Sequence, residues 1–329
     1  MPLSPRLGLS VQSGTMTAMK PRFFSTAACV LGLLMTTACA QASAPALEIA
    51  PPEVSAAPQA AAPLARPALW KVADEDTTIW LFGTIHILPH KVTWYAGPVS
   101  AALDASGELV TEIPIDQTAQ SQGLIIAKGA RTDGKSLRAT LTQEQRARYE
   151  ATLAGLGLPP SMFDGNDAWF AALMLTMLPL QMGGYNLADG IDTQVAEKAR
   201  GLNLANTALE SADYQIDLFE NLPQDTQNTY LDEVVKSLPT SKSDIDAMVA
   251  AWKDGNADAL ARLLNEQEDD PVMRATLLTN RNQAWAAWLK QRLDQPGTVF
   301  VAVGAGHLAG SGSVQDQLAR LGISSERVQ

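Results

Sequence analysis

Two of the three histidines in this chain of 329 residues occupy the same short motif. His86 closes the segment Gly83-Thr84-Ile85-His86, and His307 closes Gly304-Ala305-Gly306-His307. Imidazole is the most common protein ligand for metal ions and the usual acid or base near neutral pH. A single histidine at a strand end is usually just a hydrogen-bonded residue of the core, but the repeated Gly-x-x-His pattern favours a shared site. We therefore predict that His86 and His307 act together.

The third histidine has a different context. His90 follows Pro89 and precedes Lys91, which favours a solvated loop. The spacing of His86 and His90 would suit two ligands on one helix. Pro89 and the absence of a glutamate next to His86 argue against the His-Glu-x-x-His helix of metalloproteases.

Each Gly-x-x-His motif follows an apolar run rich in β-prone residues, 78–82 before the first and 298–303 before the second. The pattern predicts two strands that each deliver a histidine through a turn. We expect Gly83, Gly304 and Gly306 to allow a sharp turn and a close approach of the backbone to a ligand.

Two glutamates end further strand-like runs. Glu112 lies in the run 108–113 and Glu210 ends the run 206–210. In α/β sheets, functional groups gather at the carboxyl ends of strands. Two imidazoles and one carboxylate would leave open positions on a divalent ion, as a hydrolytic metal requires to activate water. The motifs therefore predict that His86, His307 and one of these two glutamates share a metal ion.

The remaining pattern predicts an α/β fold with a central sheet, flanking helices and a largely helical inserted lobe. Residues 117–200 carry mainly helical signals, and the apolar segment 169–180 has the length of a buried core helix rather than a membrane span. Strands are expected at 68–72 and 77–82, and helices at 98–105, 224–236, 242–253, 257–264, 273–293 and 314–321.

The first 40 residues resemble a secretory signal peptide, with Lys20 and Arg22 before an apolar segment at 23–34. Met19 would be a natural start of such a leader, so residues 1–18 are expected to be an over-extended translation start. Two processing routes remain open: cleavage at the small residues around Ala40, or lipidation at Cys39. We expect an exported, periplasmic protein whose contact with membrane is limited to a lipid at Cys39, which would anchor it to the outer membrane.

Residues 41–67 are rich in Ala and Pro and are predicted to form a disordered tether, with the folded domain at 68–329. Both cysteines, Cys29 and Cys39, lie in the leader, so a metal in the body must use His, Asp, Glu or water. The formal net charge is −11, and this acidity argues against a nucleic-acid partner.

The segment Trp80-Leu81-Phe82-Gly83-Thr84-Ile85-His86-Ile87-Leu88-Pro89 resembles the opening signature of the TraB/GumN family, which includes the PrgY and Tiki proteins. The segment 301–310, Val-Ala-Val-Gly-Ala-Gly-His-Leu-Ala-Gly, resembles its closing signature. Intermediate features also match, and the resemblance extends over about residues 69–328. Those features are Glu112, Gly190-Ile191-Asp192, Leu209-Glu210, Gln215, Arg281-Asn282 and Trp285.

The resemblance implies a fold akin to erythromycin esterase and ChaN proteins. For Tiki members it further implies a protease that uses the two motif histidines and a strand glutamate, with manganese or cobalt favoured. The chain departs from the family at Ile113-Pro114-Ile115, where many members carry a further acidic residue. That departure weakens the case for a second acid next to Glu112.

Each of these residues also has a plainer interpretation. Glu112 could be an ion-pair partner of Arg281, and Arg281 could be a solvated or salt-bridged helix residue. Glu210 and Gln215 could cap the helix that begins near residue 213, and Asp192 is expected to cap a helix.

We expect an exported metal-dependent hydrolase, most plausibly a peptidase that acts on an envelope protein or peptide. In this reading His86, His307 and Glu112 would hold the metal ion. Glu112, Glu210 and Arg281 would be the catalytic residues, with Arg281 stabilising the oxyanion. The alternative is a non-catalytic haem- or metal-binding envelope lipoprotein like ChaN, since two histidines can also ligate haem iron.

Overall fold

The structure is a computed structural model that describes residues 64–329 except 90–91 and 266–269. The proposed leader, most of the proposed tether and His90 lie outside the described residues. Ala65 is buried and its N–H donates to the Thr93 carbonyl, while the Arg66 N–H donates to the Lys253 carbonyl. The folded part therefore begins a few residues before the predicted boundary at 68.

The protein is built around a six-stranded sheet with the order β4-β3-β5-β2-β1-β6. Its strands are β1 (Leu69–Ala73), β2 (Thr77–Thr84), β3 (Glu108–Thr111), β4 (Ala205–Ala208), β5 (Gly297–Gly304) and β6 (Glu326–Arg327). The pairs β2·β5, β5·β3 and β3·β4 are parallel, and β1 is antiparallel to β2 and to β6. The α/β fold predicted from the sequence is confirmed.

Helices fill the connections between these strands. They are α1 (Gly97–Asp104), α2 (Thr118–Lys128), α3 (Leu137–Thr140), α4 (Gln143–Gly155), α5 (Ala168–Met182), α6 (Ile191–Gly201), α7 (Ala212–Glu220), α8 (Gln224–Ser237), α9 (Ser241–Lys253), α10 (Ala257–Leu264), α11 (Pro271–Arg274), α12 (Asn280–Leu293) and α13 (Val314–Arg320). A π-helical turn at Ala275–Thr279 joins α11 to α12, and a 3₁₀ turn at Ala305–Leu308 follows β5.

Alternating side chains of the strands bury the two faces of the sheet, as the period of two requires. Phe82 and Phe300 point to the face covered by α1, α6, α9 and α10, whereas Leu81 and Val301 point to the face covered by α12 and α13. A third apolar cluster belongs to the predicted helical lobe. It packs Trp169 of α5 against Phe219 of α7 and includes residues of α2, α4 and α8.

The apolar helix α5 is a core helix, as its length predicted. Trp169, Ala172 and Leu175 are fully buried within the lobe. Among the described residues, no helix combines the length and apolar character needed to cross a membrane.

The register of the parallel strands brings their carboxyl ends to one edge of the sheet. Thr84 at the end of β2 pairs with Gly304 at the end of β5. Thr111 at the end of β3 pairs with Ala302 of β5 and with Ala208 at the end of β4. His86, Glu112, Glu210 and His307 follow these four ends by one to three residues.

Candidate functional site

The first histidine is held by the start of helix α6. The Nδ1 atom of His86 lies 2.6 Å from Oδ2 of Asp192, and the Thr84 hydroxyl donates to Oδ1 of the same carboxylate at 2.6 Å. The Ile191 N–H donates to the Ile85 carbonyl at 2.8 Å, so the start of α6 lies against the turn that carries His86. A carboxylate has no proton to donate when ionised, so Nδ1 of His86 carries the proton.

This arrangement leaves the other nitrogen of His86 unused. Its Nε2 atom is buried and has no hydrogen-bond partner among the described residues. Burial lowers the pKa of His86, but the charge and hydrogen bond of Asp192 outweigh burial, so the pKa is raised overall. In its neutral form, His86 therefore has an unused lone pair on Nε2 inside the protein, while the Asp192 carboxylate lies next to Nδ1.

The second histidine is oriented by a neutral amide. Nδ1 of His307 lies 2.6 Å from Oδ1 of Asn282, while the Asn282 amide nitrogen donates to the Gly312 carbonyl at 2.9 Å. Oδ1 of Asn282 therefore accepts a hydrogen bond from Nδ1 of His307. Nε2 of His307 accepts a hydrogen bond from Arg281 at 3.1 Å. The ring of Trp285 packs beside it, 4.3 Å between centroids. Burial and the neighbouring Arg281 lower the pKa of His307 to about 3, which keeps its imidazole neutral.

Two glutamates and one arginine form a buried ion-pair cluster next to His307. Arg281 donates to Glu112 at 2.7 Å and to Glu210 at 2.8 Å, and its side chain is fully buried. The amide of Gln215 joins both carboxylates, at 3.0 Å to Glu112 and 2.9 Å to Glu210. The indole N–H of Trp285 also donates to Glu210, at 2.9 Å.

Glu112 lies beside both histidine motifs. Its Oε1 atom accepts the Gly304 N–H at 2.7 Å, so the strand end of β5 holds it directly. Burial raises its pKa, but Arg281, the histidines and the Gly304 N–H outweigh this and lower the pKa to about 2. Glu112 is therefore an anion at any physiological pH.

The three predicted ligands converge, as the two motifs suggested. A Cβ atom added to Gly304 would lie 3.2 Å from Oε1 of Glu112, 3.7 Å from Cδ2 of His307 and 3.8 Å from Nε2 of His86. As these side chains stand, however, no group of three or more His, Cys, Asp or Glu residues in the described part of the chain is arranged to hold a metal ion. Two of the three predicted ligands are instead engaged by Arg281.

The expected role of the glycines as sharp turns needs a correction. Gly83, Gly304 and Gly306 are not among the glycines with positive φ, and Gly304 has a φ of −51° that any residue adopts. At Gly83 and Gly304 a side chain would instead meet close neighbours. A Cβ on Gly83 would lie 3.0 Å from the Cα of Ala305, so the two motifs pack directly against each other. A cofactor-binding role for these glycines stays a prediction.

Two of the plainer interpretations were wrong. Asp192 is not a helix cap: Gly190 is the N-cap of α6, and the Asp192 side chain binds Thr84 and His86. Glu210 and Gln215 do not cap α7 either, because the Ser211 side chain does so. The expected pairing of Glu112 with Arg281 is present.

Sequence reasoning missed what Asp192, Thr84 and Asn282 do. Each lies next to, or within, a segment already singled out, but its contact partner is distant along the chain. The available signal was their proximity to the motifs: Asp192 follows Gly190-Ile191, and Asn282 follows Arg281.

Comparisons with known proteins show which family the chain resembles. The model of the TraB/PrgY/gumN family matches residues 68–327. The uncharacterized protein YbaP of Escherichia coli (strain K12) is 28% identical over 188 residues, which cover 56% of this chain and 68% of YbaP. The uncharacterized protein YbaP of Shigella flexneri matches with the same values. No solved structure matches the chain significantly. The family match spans both Gly-x-x-His motifs and every residue of the cluster, and the chain belongs to the TraB/PrgY/gumN family.

Proposed function

We propose that this protein is a hydrolase whose reacting groups gather around His86, and that His86, His307 and Glu112 hold a divalent cation there. One observation carries the proposal: the buried Nε2 atom of His86 has no partner among the described residues. It faces the same small region as Glu112 and His307. A buried polar atom without a partner is costly, so an unpaired lone pair at such a place suggests a ligand.

The donor chemistry fits a cation. Both imidazoles use Nδ1 to donate to an oxygen acceptor, Asp192 or Asn282, and this leaves Nε2 as the lone-pair atom. Outer hydrogen bonds of this kind are typical of metal-ligating histidines. The formal charges agree as well. Asp192, Glu112 and Glu210 are three carboxylates against one guanidinium, so the cluster is two negative when both imidazoles are neutral.

Arg281 acts in this proposal as a resident counter-ion and not as the oxyanion donor expected from the sequence. Its five N–H groups are engaged by Glu210, Glu112, the Leu277 carbonyl and His307. None is left for a substrate oxygen in this arrangement. Because Arg281 donates to His307 and Glu112, a cation would share these two donors with it or displace it.

The proposals for substrate and location are supported by the family resemblance and by the signal-peptide pattern of the leader. We propose a peptide bond as the substrate, with manganese or cobalt as the cation, in an exported protein with a lipid at Cys39 as its membrane contact. When bound, such a cation lowers the pKa of a water molecule and polarises a carbonyl. The chain's own contribution is to orient His86 through Asp192, to hold Glu112 ionised, and to surround the reacting atoms with buried groups.

The test combines cleavage with metal content. The purified protein is incubated with an unfolded protein substrate and manganese or cobalt, beside His86→Ala, His307→Ala and the control His90→Ala. We expect cleavage by wild type and by the control, with at least tenfold less bound metal in the other two variants, because each loses one of about three ligands. Bound metal without cleavage of any substrate would contradict the hydrolase.

The haem-binding alternative stays a prediction that no contact in the described residues favours. Nε2 of His307 accepts from Arg281, and the side chains of both histidines are more than nine-tenths buried. Adding haem to the same proteins distinguishes the two functions. A Soret band that His86→Ala abolishes would favour haem binding over hydrolysis.

A further inference from the structure

The helical hairpin 241–265, which comprises α9, α10 and the residue that ends α10, touches the backs of both histidine turns. Trp252 lies in the last turn of α9, and its indole N–H donates to the Gly83 carbonyl at 2.7 Å. Asn265 ends α10, and its amide donates to the Gly306 carbonyl at 2.8 Å and to the Ala309 carbonyl at 2.9 Å. One supersecondary unit therefore binds the backbone of both Gly-x-x-His motifs.

The polar groups of this hairpin are buried. Trp252 is 1% exposed and Asn265 is 4% exposed. The N–H groups of these side chains therefore donate to the motif carbonyls out of contact with water, where an unmade hydrogen bond is expensive. Oδ1 of Asn265 has no partner among the described residues, so only the N–H side of its amide is hydrogen-bonded there.

The hairpin also packs closely against the motifs. A Cβ on Gly310, which has a φ of +69°, would lie 2.7 Å from the Cβ of Ala261, so α10 lies against the chain just after His307. One small apolar pocket is lined by Trp252 and Leu260 of the hairpin together with Gly83 and Ala305 of the two motifs. Since Gly83 also contacts Ala305, the first turn, the second turn and the hairpin form a single packed unit.

We propose that Trp252 and Asn265 are positioning residues, and that the hairpin sets the placement of His86 relative to His307. The two histidines follow different strands, β2 and β5, and their outer partners lie on different helices, Asp192 on α6 and Asn282 on α12. The hairpin contacts both motifs from a single pair of helices that are adjacent along the chain. This inference rests on the proposed function only in taking a divalent cation as the group that the site binds. The placement itself is a property of the protein alone.

The variants remove single donors while keeping shape. Trp252→Phe keeps an aromatic ring but removes the N–H, and Asn265→Leu keeps the volume but removes the amide. Asn265→Ala, which also removes the amide, replaces Asn265→Leu if the leucine variant does not fold. Val249→Ala and Leu264→Ala are the matched controls, because they weaken the apolar packing of α9 and α10 without touching a motif carbonyl.

Two readouts separate positioning from simple stability. The first is cobalt titration, where we expect at least a tenfold loss of affinity in Trp252→Phe and Asn265→Leu but less than threefold in controls of equal unfolding free energy. The second needs no metal. With three histidines in the chain, ¹⁵N-histidine NMR of the metal-free protein resolves each ring. We expect shifted or doubled signals of His86 in Trp252→Phe and of His307 in Asn265→Leu.

The outcomes distinguish this inference from the proposed function. If wild type binds no cobalt, the cation proposal fails, and the histidine spectra decide the positioning alone. If the spectra of Trp252→Phe and Asn265→Leu match wild type, or change no more than in Val249→Ala and Leu264→Ala, the positioning role is overturned.

Discussion

Asp192 and His86 form a buried carboxylate–imidazole pair, with 2.6 Å between Oδ2 and Nδ1. The two residues are 106 positions apart and meet because the start of α6 abuts the end of β2. The corresponding partner of His307 is a neutral amide, Asn282. The two Gly-x-x-His motifs are alike in sequence, yet their histidines differ in charge environment. His86 is backed by an anion, whereas His307 lies between an amide and a guanidinium.

Asp192→Asn should weaken the site without unfolding the protein. The amide oxygen can still accept a hydrogen bond from Nδ1 of His86, but the negative charge next to the ring is lost. Loss of an outer partner of this kind costs about 10–100-fold in metal affinity or activity. Cobalt titration and cleavage assays measure the effect. Asp189→Asn, just before α6, is the control that removes a nearby charge without touching His86. Equal affinity in wild type and Asp192→Asn would show that the pair is not functional.

Arg281→Gln should make stability depend on cations. Without the guanidinium, Glu112 and Glu210 are left buried and unpaired, which costs about 3–5 kcal/mol of unfolding free energy. Manganese or cobalt that binds the folded state would restore part of that loss. Urea denaturation with and without metal measures both effects.

Arg292→Gln is the matched control for Arg281→Gln. Arg292 lies on the same helix α12 and pairs with Glu108, but nearer the surface, at 12% and 19% side-chain exposure. Its loss should cost about 1 kcal/mol or less and show no response to metal. A similar response to metal in both variants would contradict the role of Arg281 as the counter-ion of the site.

Gly304→Ala should fill the space between the proposed ligands. The backbone of Gly304 tolerates alanine, but the added methyl group would lie 3.2 Å from Oε1 of Glu112 and near both histidines. We expect a stability loss of about 1–3 kcal/mol from overpacking and at least a tenfold loss of cobalt affinity. Gly107→Ala is the control, since its added methyl would meet no atom within 4 Å. Unchanged affinity in Gly304→Ala would place the cation elsewhere.

Asp232→Asn tests an acid-sensitive link in the helical lobe. Asp232 on α8 pairs with Arg148 on α4 at 2.8 Å and with Lys236 at 2.7 Å. Burial raises its pKa, but the hydrogen bonds to Arg148 and Lys236 outweigh burial and lower it. A carboxyl with a lowered folded-state pKa stabilises the fold above its unfolded pKa of about 3.9. This stability is lost as the pH falls through the folded pKa.

We therefore expect Asp232→Asn to cost about 1 kcal/mol at neutral pH and much less near pH 2. Urea denaturation of both proteins at these two pH values measures the difference. A cost that is the same at both pH values would show that the ionised carboxylate does not contribute.

The local pattern determined much of the architecture. Apolar, β-prone runs before Gly83 and Gly304 indicated strands, and those strands, β2 and β5, are adjacent and parallel. Helix bounds near 224–236, 242–253 and 257–264 follow from apolar periodicity, which is a property of neighbouring residues. The convergence of His86, Glu112 and His307 also follows, because parallel strands end at one edge of the sheet.

The partners of these residues were decided only by the tertiary structure. The sequence indicated a cap at Asp192 and an oxyanion donor at Arg281, whereas the fold places Asp192 behind His86 and saturates Arg281 with buried acceptors. Trp252 and Asn265 carried no signal at all. Which side chains meet depends on how helices far apart in the chain pack on the sheet edge, and hydrophobic periodicity fixes the buried face of a helix but not the neighbour that this face will contact.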